Sequence, residues 1–268
     1  MTTMTVSDST IDYQDRFDGE PVLLIHGAVV ADSYEQMIAA SDELQAMRLV
    51  TYHRRGFGTS TQPDQPRTIV EEAGDALALL DHLDIANAHV VGHSLAGLIA
   101  IQIAIDSPQR VHSLTLLEPA FVSVPSGANF AAGVEPSAKL YDDGDLPGAL
   151  GAFLALVGGD NPMARLVNLP NEATSQAVAD LATLFTSDLN ALSTFELDES
   201  TAARTAIPTL IVRGTDSPAV FQEAADLLTQ WLPNISTHTL NGSSHFLQME
   251  QPSAAATALA RFINSHTP

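Results

Sequence analysis

The stretch Gly92-His93-Ser94-Leu95-Ala96-Gly97 sets one hydroxyl among small neighbours. Before it lies an apolar run at 88–91; after it, an apolar helical pattern at 95–105. The succession reads as a strand, a very tight turn and a helix. Such a turn crowds the backbone, so its neighbours must lack bulk. It lifts the Ser94 hydroxyl clear of the strand and aims a helix N-terminus at it. An oxyanion forming there meets free backbone N–H groups, that of Leu95 first, and the favourable end of the helix dipole. The chemistry is nucleophilic attack by serine. A serine hydroxyl needs a base beside it, usually histidine, and a third group to orient that base.

The elements that must position these groups alternate along the chain. Strands are expected at 21–25, 48–53, 88–91, 113–117, 208–212 and 235–240. Helices are expected at 33–46 (with Ser33 as N-cap), 68–83, 95–105, 219–231 and 253–263. The residues before Pro21 suffice for one hairpin. Alternation of this kind predicts an α/β fold with a mostly parallel sheet covered on both faces. Parallel strands present ligand groups at their carboxyl ends. Gly27, Ser94, Glu118 and Asp216 all follow strand ends, and His245 follows the last strand, so five candidate groups converge on one sheet edge. Between Glu118 and Pro208 no clear strand occurs. Helical patterns at 147–157, 172–185 and 188–195 fill a segment too long for a simple connection.

The elbow around Ser94 resembles the nucleophile elbow of the α/β-hydrolase superfamily, with Ala96 where the second glycine of Gly-x-Ser-x-Gly usually stands. Tyr52-His53-Arg54-Arg55-Gly56-Phe57-Gly58-Thr59-Ser60 and Leu116-Leu117-Glu118-Pro119 are similar to runs in a large bacterial group of these proteins. The resemblance implies an α/β-hydrolase core at 1–120 and 207–268 and an inserted helical cap at 121–206. It implies His245, in Asn241-Gly242-Ser243-Ser244-His245-Phe246, as the base. It also implies Ala28, in His26-Gly27-Ala28-Val29, as the second oxyanion donor beside Leu95, with Gly27 and Val29 as alternatives. The acid has two candidates. The superfamily's usual Gly-x-x-Asp register here reads Gly214-Thr215-Asp216-Ser217, which leaves Asp216 one residue early and free to cap the next helix. Glu118-Pro119 resembles a minority, the zearalenone-type lactone hydrolases and cofactor-free quinolone dioxygenases, whose acid follows the strand after the nucleophile strand. Glu118 is favoured, with Asp216 as the alternative acid. Of the other histidines, His26 and His53 are expected to brace loops and His93 to face away from the site. His82, His89, His112 and His266 are expected at the surface or its boundary.

The chain has 268 residues, no cysteine and a net charge of −21, with Lys139 as its one lysine. That balance argues against nucleic-acid or anionic-membrane partners and for a self-repelling surface. Adaptation to high salt is the sharper reading, and it predicts stability that rises with salt. No apolar run is long enough for a membrane span, and the polar N-terminus lacks a secretory pattern, so a cytoplasmic enzyme is expected. Asp142-Asp143-Gly144-Asp145 lacks the spacing of a calcium loop, and neither a metal nor another cofactor is expected. The expected partner is a small-molecule substrate; the chain is a monomer or a homodimer. The expected activity is serine hydrolysis of an ester or lactone of a small, fairly apolar molecule. Phe130, Phe153, Leu154, Leu156, Leu184 and Phe185 are expected to line the site. The alternatives are carbon–carbon bond hydrolysis or cofactor-free oxygenation by the same His–carboxylate pair, and a non-catalytic ligand-binding role.

Overall fold

The apolar runs pair into a single eight-stranded sheet in a computed structural model that describes residues 1–6, 9–159 and 171–267. Its strands are β1 (Thr2–Val6), β2 (Ser9–Arg16), β3 (Pro21–Ile25), β4 (Arg48–Tyr52), β5 (Ala88–His93), β6 (Val111–Leu117), β7 (Thr209–Gly214) and β8 (Ile235–Leu240). Their order across the sheet is β1-β2-β4-β3-β5-β6-β7-β8. β1 and β2 pair with each other antiparallel, and β2 pairs antiparallel with β4; every later pairing is parallel. The expected hairpin and mostly parallel sheet are therefore both present.

Alternation along each strand divides the core into two layers. Leu23 and Ile25 of β3 pack into one, Val22 and Leu24 into the other. The first layer is covered by α3 (Ile69–His82), α4 (Leu95–Asp106) and α11 (Ala219–Trp231). The second is covered by α1 (Glu35–Ala39), α2 (Asp42–Gln45) and α13 (Pro252–Asn264). One helix was expected at 33–46. Two form because the Ser41 side chain accepts from the Leu44 N–H, capping a new helix and ending the old one. Ser33 caps neither. Thr68 and Glu71 close a reciprocal capping box that starts α3 as expected.

The described part of the segment between β6 and β7 carries helices and no strand: α5 (Gly127–Asp142), α6 (Leu146–Gly158), α7 (Asn171–Ala179), α8 (Leu181–Thr183), a π-helical turn (Leu184–Asp188), α9 (Leu189–Thr194) and α10 (Glu199–Ala202). The sequence reading missed α5, because Gly127, Gly133 and Pro136 interrupt its pattern. Asp143 pairs with Lys139, and Asp145 caps α6, so the acidic run serves as a turn between two helices. Among the described residues no helix is long and apolar enough to cross a membrane.

The turn after β5 has a strict steric requirement. A Cβ on Gly92 would collide with the Ala96 carbonyl oxygen, whereas Ala96 itself is accommodated fully buried. Gly92→Ala is therefore expected to lower the melting temperature by several degrees and to lose most activity, while Ala96→Gly keeps activity at a smaller cost in melting temperature; thermal melts and ester turnover on the two variants check this.

Candidate active site

Ser94 joins β5 to α4 with φ 56° and ψ −124°. A non-glycine residue there stores about 1–3 kcal/mol of strain, held by the surrounding packing. Its amide donates to the Leu117 carbonyl, and its carbonyl accepts from Gly97 and Ala120, so the turn is tied to β6. No side-chain cap closes the N-terminus of α4, which leaves its first N–H groups for a ligand.

His245 stands on the loop between β8 and α12 (Leu247–Glu250), 3 % exposed. Its Nε2 lies 2.9 Å from Ser94 Oγ. The Glu250 carboxylate fastens the loop by accepting from the Ser244 amide and from the hydroxyls of Ser243 and Ser244. Two rings hold the imidazole. Phe221 of α11 stacks on it, with centroids 3.7 Å apart and planes at 19°. The His93 ring lies 4.9 Å away, and its Nε2–H donates to the His245 carbonyl at 2.9 Å. His93 was expected to face away. It turns toward the site because β5 runs through His93 and gives way to the strained turn only at Ser94. His89 is likewise no boundary residue, being buried against the Ser113 hydroxyl at 2.7 Å.

Glu118 follows β6 in a left-handed conformation, φ 48°, and is 1 % exposed. Its Oε1 accepts from the Gly214 amide at 2.6 Å. Its Oε2 lies 3.6 Å from His245 Nδ1, and neither atom has a hydrogen-bond partner. Burial pushes the Glu118 carboxyl up, against the opposing pull of the Gly214 amide and of Ser217. Burial also holds His245 well below an ordinary imidazole, so the ring rests neutral and ready to accept a proton. Asp216 is exposed and accepts from the Thr215 hydroxyl at 3.0 Å, away from His245. It does not cap α11, whose N-cap is Pro218. The loop at the usual acid position thus turns Asp216 to solvent and leaves Ser217 beside Glu118.

Ala28 and Leu95 flank Ser94 in one pocket. Gly27 approaches Ser94 so closely that a Cβ on it would stand 3.0 Å from Ser94 Cβ. Phe130, Phe153, Leu154, Leu184 and Leu192 of the helical segment cover the pocket. Phe185 was expected there but stacks on Tyr141 at 4.6 Å, and Leu156 packs over Gly133. The cavity of this pocket has a volume of about 40 Å³. Asp188 is the charged side chain on the wall, and it is paired with Arg54; no Lys or Arg lines the pocket among the described residues. No group of three or more metal-ligating side chains gathers among the described residues. Sequence reasoning missed Phe221, His93 as a ring beside His245, and the Arg54–Asp188 pair. Their contacts span up to 152 residues of sequence, and no local motif marks them.

The buried histidines give stability a definite pH dependence. Burial, the coulombic effect of His245 second, lowers the pKa of His93 to about 3 against an unfolded value of 6.5. The unfolded chain therefore takes up the proton first. The contribution of His93 is complete above pH 6.5 and is lost progressively as pH falls toward 3. His93→Gln, whose amide can still donate to the His245 carbonyl, is expected to show a shallower fall of melting temperature between pH 6.5 and 4 than the parent; an equal slope would refute it.

The family model described as the alpha/beta hydrolase fold matches residues 20–252. A 2-hydroxymuconate semialdehyde hydrolase of Pseudomonas putida is 27 % identical over 258 residues, 93 % of this chain and 89 % of that protein. The solved structure of MGS-M2, an alpha/beta hydrolase enzyme from a Medee basin deep-sea metagenome library, is similar with a TM-score of 0.83 at 16 % identity, covering 100 % of this chain and 98 % of that one. An enol-lactonase from Burkholderia xenovorans LB400 is similar with a TM-score of 0.79 at 20 % identity, covering 98 % and 100 %. With its parallel sheet, its strained serine between strand and helix and the extent of the family match, this chain belongs to the alpha/beta hydrolase fold family.

Proposed function

We propose that the chain is a serine hydrolase that cleaves an ester or lactone of a small, uncharged, fairly apolar molecule. The observation that carries this reading is the 2.9 Å contact of Ser94 Oγ with His245 Nε2 at the floor of an apolar pocket. His245 takes the Ser94 proton as Oγ bonds to the carbonyl carbon. The Leu95 and Ala28 amides hold the oxyanion. The tetrahedral intermediate collapses, the carbon–oxygen bond to the leaving group breaks, and His245 returns the proton to the leaving alkoxide. Water, deprotonated by His245, then attacks the acyl-enzyme and releases the acid and Ser94. Glu118 fixes the imidazole tautomer and stabilises its charged form. The segment 121–206 acts as the cap that excludes water and selects the substrate. Ser33 Oγ, buried on the pocket wall without a partner, is available to a second polar group of the substrate.

Carbon–carbon hydrolysis is the second reading, favoured by the similarity to the semialdehyde hydrolase. The lack of Lys or Arg on the described wall weighs against an anionic substrate and so toward the neutral ester. An organophosphonate with an aryl leaving group tests the nucleophile. The expected result is one phosphonyl adduct on Ser94 by peptide mass, with parallel loss of p-nitrophenyl ester turnover. Ester turnover that survives full exposure to the phosphonate, with Ser94 unmodified, overturns the proposal.

A further inference from the structure

Gly27 and Ala28 share a trans peptide, so the Gly27 carbonyl and the Ala28 N–H point in opposite directions. The Gly27 carbonyl oxygen accepts from His26 Nδ1 at 2.7 Å and from Arg54 Nη2 at 3.3 Å. The Arg54 amide donates to His26 Nε2 at 3.0 Å, which fixes the proton of His26 on Nδ1. The carbonyl is thereby drawn toward Arg54, and the Ala28 N–H points the opposite way. The next residue, Val29, holds φ 75°. A β-branched residue in that region is strained, so the loop needs outside clamps to keep its form.

Arg54 is the clamp, and its other end is not in the core. Its guanidinium grips Asp188 through two bonds, Nη1 to Oδ1 at 3.0 Å and Nη2 to Oδ2 at 2.8 Å, with side chains 1 % and 3 % exposed. Asp188 closes the π-helical turn and lines the pocket. π turns are rare and concentrate at functional places. Glu72 of α3 lies 3.4 Å from the same guanidinium. It keeps a counter-charge on Arg54 if Asp188 withdraws, so the pair can part without stranding a bare buried cation.

We propose that Arg54 and Asp188 are positioning residues that couple the helical segment over the pocket to the Ala28 side of the oxyanion hole. The hole is assembled when the π turn is seated on Arg54, and it loosens when the turn lifts. This rests on the serine-hydrolase reading above.

Asp188→Asn keeps the shape of the contact and removes its charge. Expected is a drop in kcat of about 10²-fold, the size of one lost oxyanion donor, with KM within threefold and the same drop for acetyl, butyryl and hexanoyl aryl esters. Sulfur accepts hydrogen bonds poorly, so the rate ratio of an ester to its thionoester reports the oxyanion hole; it should fall at least tenfold in the variant. That ratio is independent of how much protein is folded, and so it remains readable in a destabilised variant. Asp188→Glu, which retains the charge, should recover part of kcat and of the ratio. An unchanged ester-to-thionoester ratio overturns the proposal, whatever happens to kcat. So does a change confined to KM that varies with acyl length, which would make Asp188 only a piece of the pocket wall. Failure of the phosphonate to modify Ser94 in the parent enzyme would instead overturn the reaction class.

Discussion

Replacing Ser94 with alanine is expected to lower kcat for a p-nitrophenyl ester by about 10⁵- to 10⁶-fold while leaving the fold intact. The Oγ is the only atom removed, and its contact at 2.9 Å is with His245 Nε2. Without it no acyl-enzyme forms. What persists is the attack of water assisted by the oxyanion donors and the bound geometry, a residue of about 10³- to 10⁴-fold over the uncatalysed rate. The strained backbone at position 94 is set by Gly92, the β6 contacts and α4, none of which needs the hydroxyl. The melting temperature should therefore change little. Turnover by Ser94→Ala within tenfold of the parent would overturn the nucleophile assignment.

The second large effect separates the two candidate acids. Glu118→Gln is expected to lower kcat by about 10³- to 10⁴-fold, and Asp216→Asn to stay within twofold. The reason lies in how Glu118 is held. Its Oε1 accepts from the Gly214 amide at 2.6 Å, and a glutamine would keep its carbonyl oxygen there. The amide NH₂ then faces His245 Nδ1, 3.6 Å away in the parent. A donor in that place asks Nδ1 to accept, which moves the imidazole proton to Nε2 and blocks the nitrogen that must deprotonate Ser94. Asp216 is exposed, and its carboxylate accepts from the Thr215 hydroxyl. Equal losses in the two variants, or a loss only in Asp216→Asn, would displace Glu118 from its proposed role.

Much of this architecture was legible along the chain. The strands from β3 to β7 fall where the apolar runs do, because a strand buried on both faces needs a continuous apolar stretch. The helix expected at 68–83 was legible in its apolar spacing and the acids of its first turns, and the structure adds the Thr68–Glu71 capping box. The elbow was legible because Gly92 and Ser94 meet their steric demands within one turn. Ser94, His245 and Glu118 were legible as groups at the carboxyl edge of one sheet, and the structure brings them into mutual contact. The sequence reading fell short where the deciding partner lies outside the local pattern. His93 turned out to pack on His245, 152 residues away. Asp216 pointed to solvent because its loop is pinned by Ser243 rather than by the helix it precedes. The helix α5 formed through Gly127, Gly133 and Pro136 because packing on α6 outweighs their poor propensity.

The sequence by itself determined the family, the sheet with its one reactive edge, and a serine raised on a turn that only small neighbours permit. These follow from short-range sterics and from the periods of strand and helix, which act between residues close in the chain. Only the tertiary structure decided which carboxylate lies beside His245, which rings enclose it, and that Arg54 reaches from the Gly27 carbonyl to Asp188 in the helices above the pocket. Those choices depend on the direction of single side chains brought together across as many as 152 residues. Burial then fixes the hydrogen-bonded pairs such as Arg54 with Asp188, because a buried polar group left without its partner costs more than the packing around it returns.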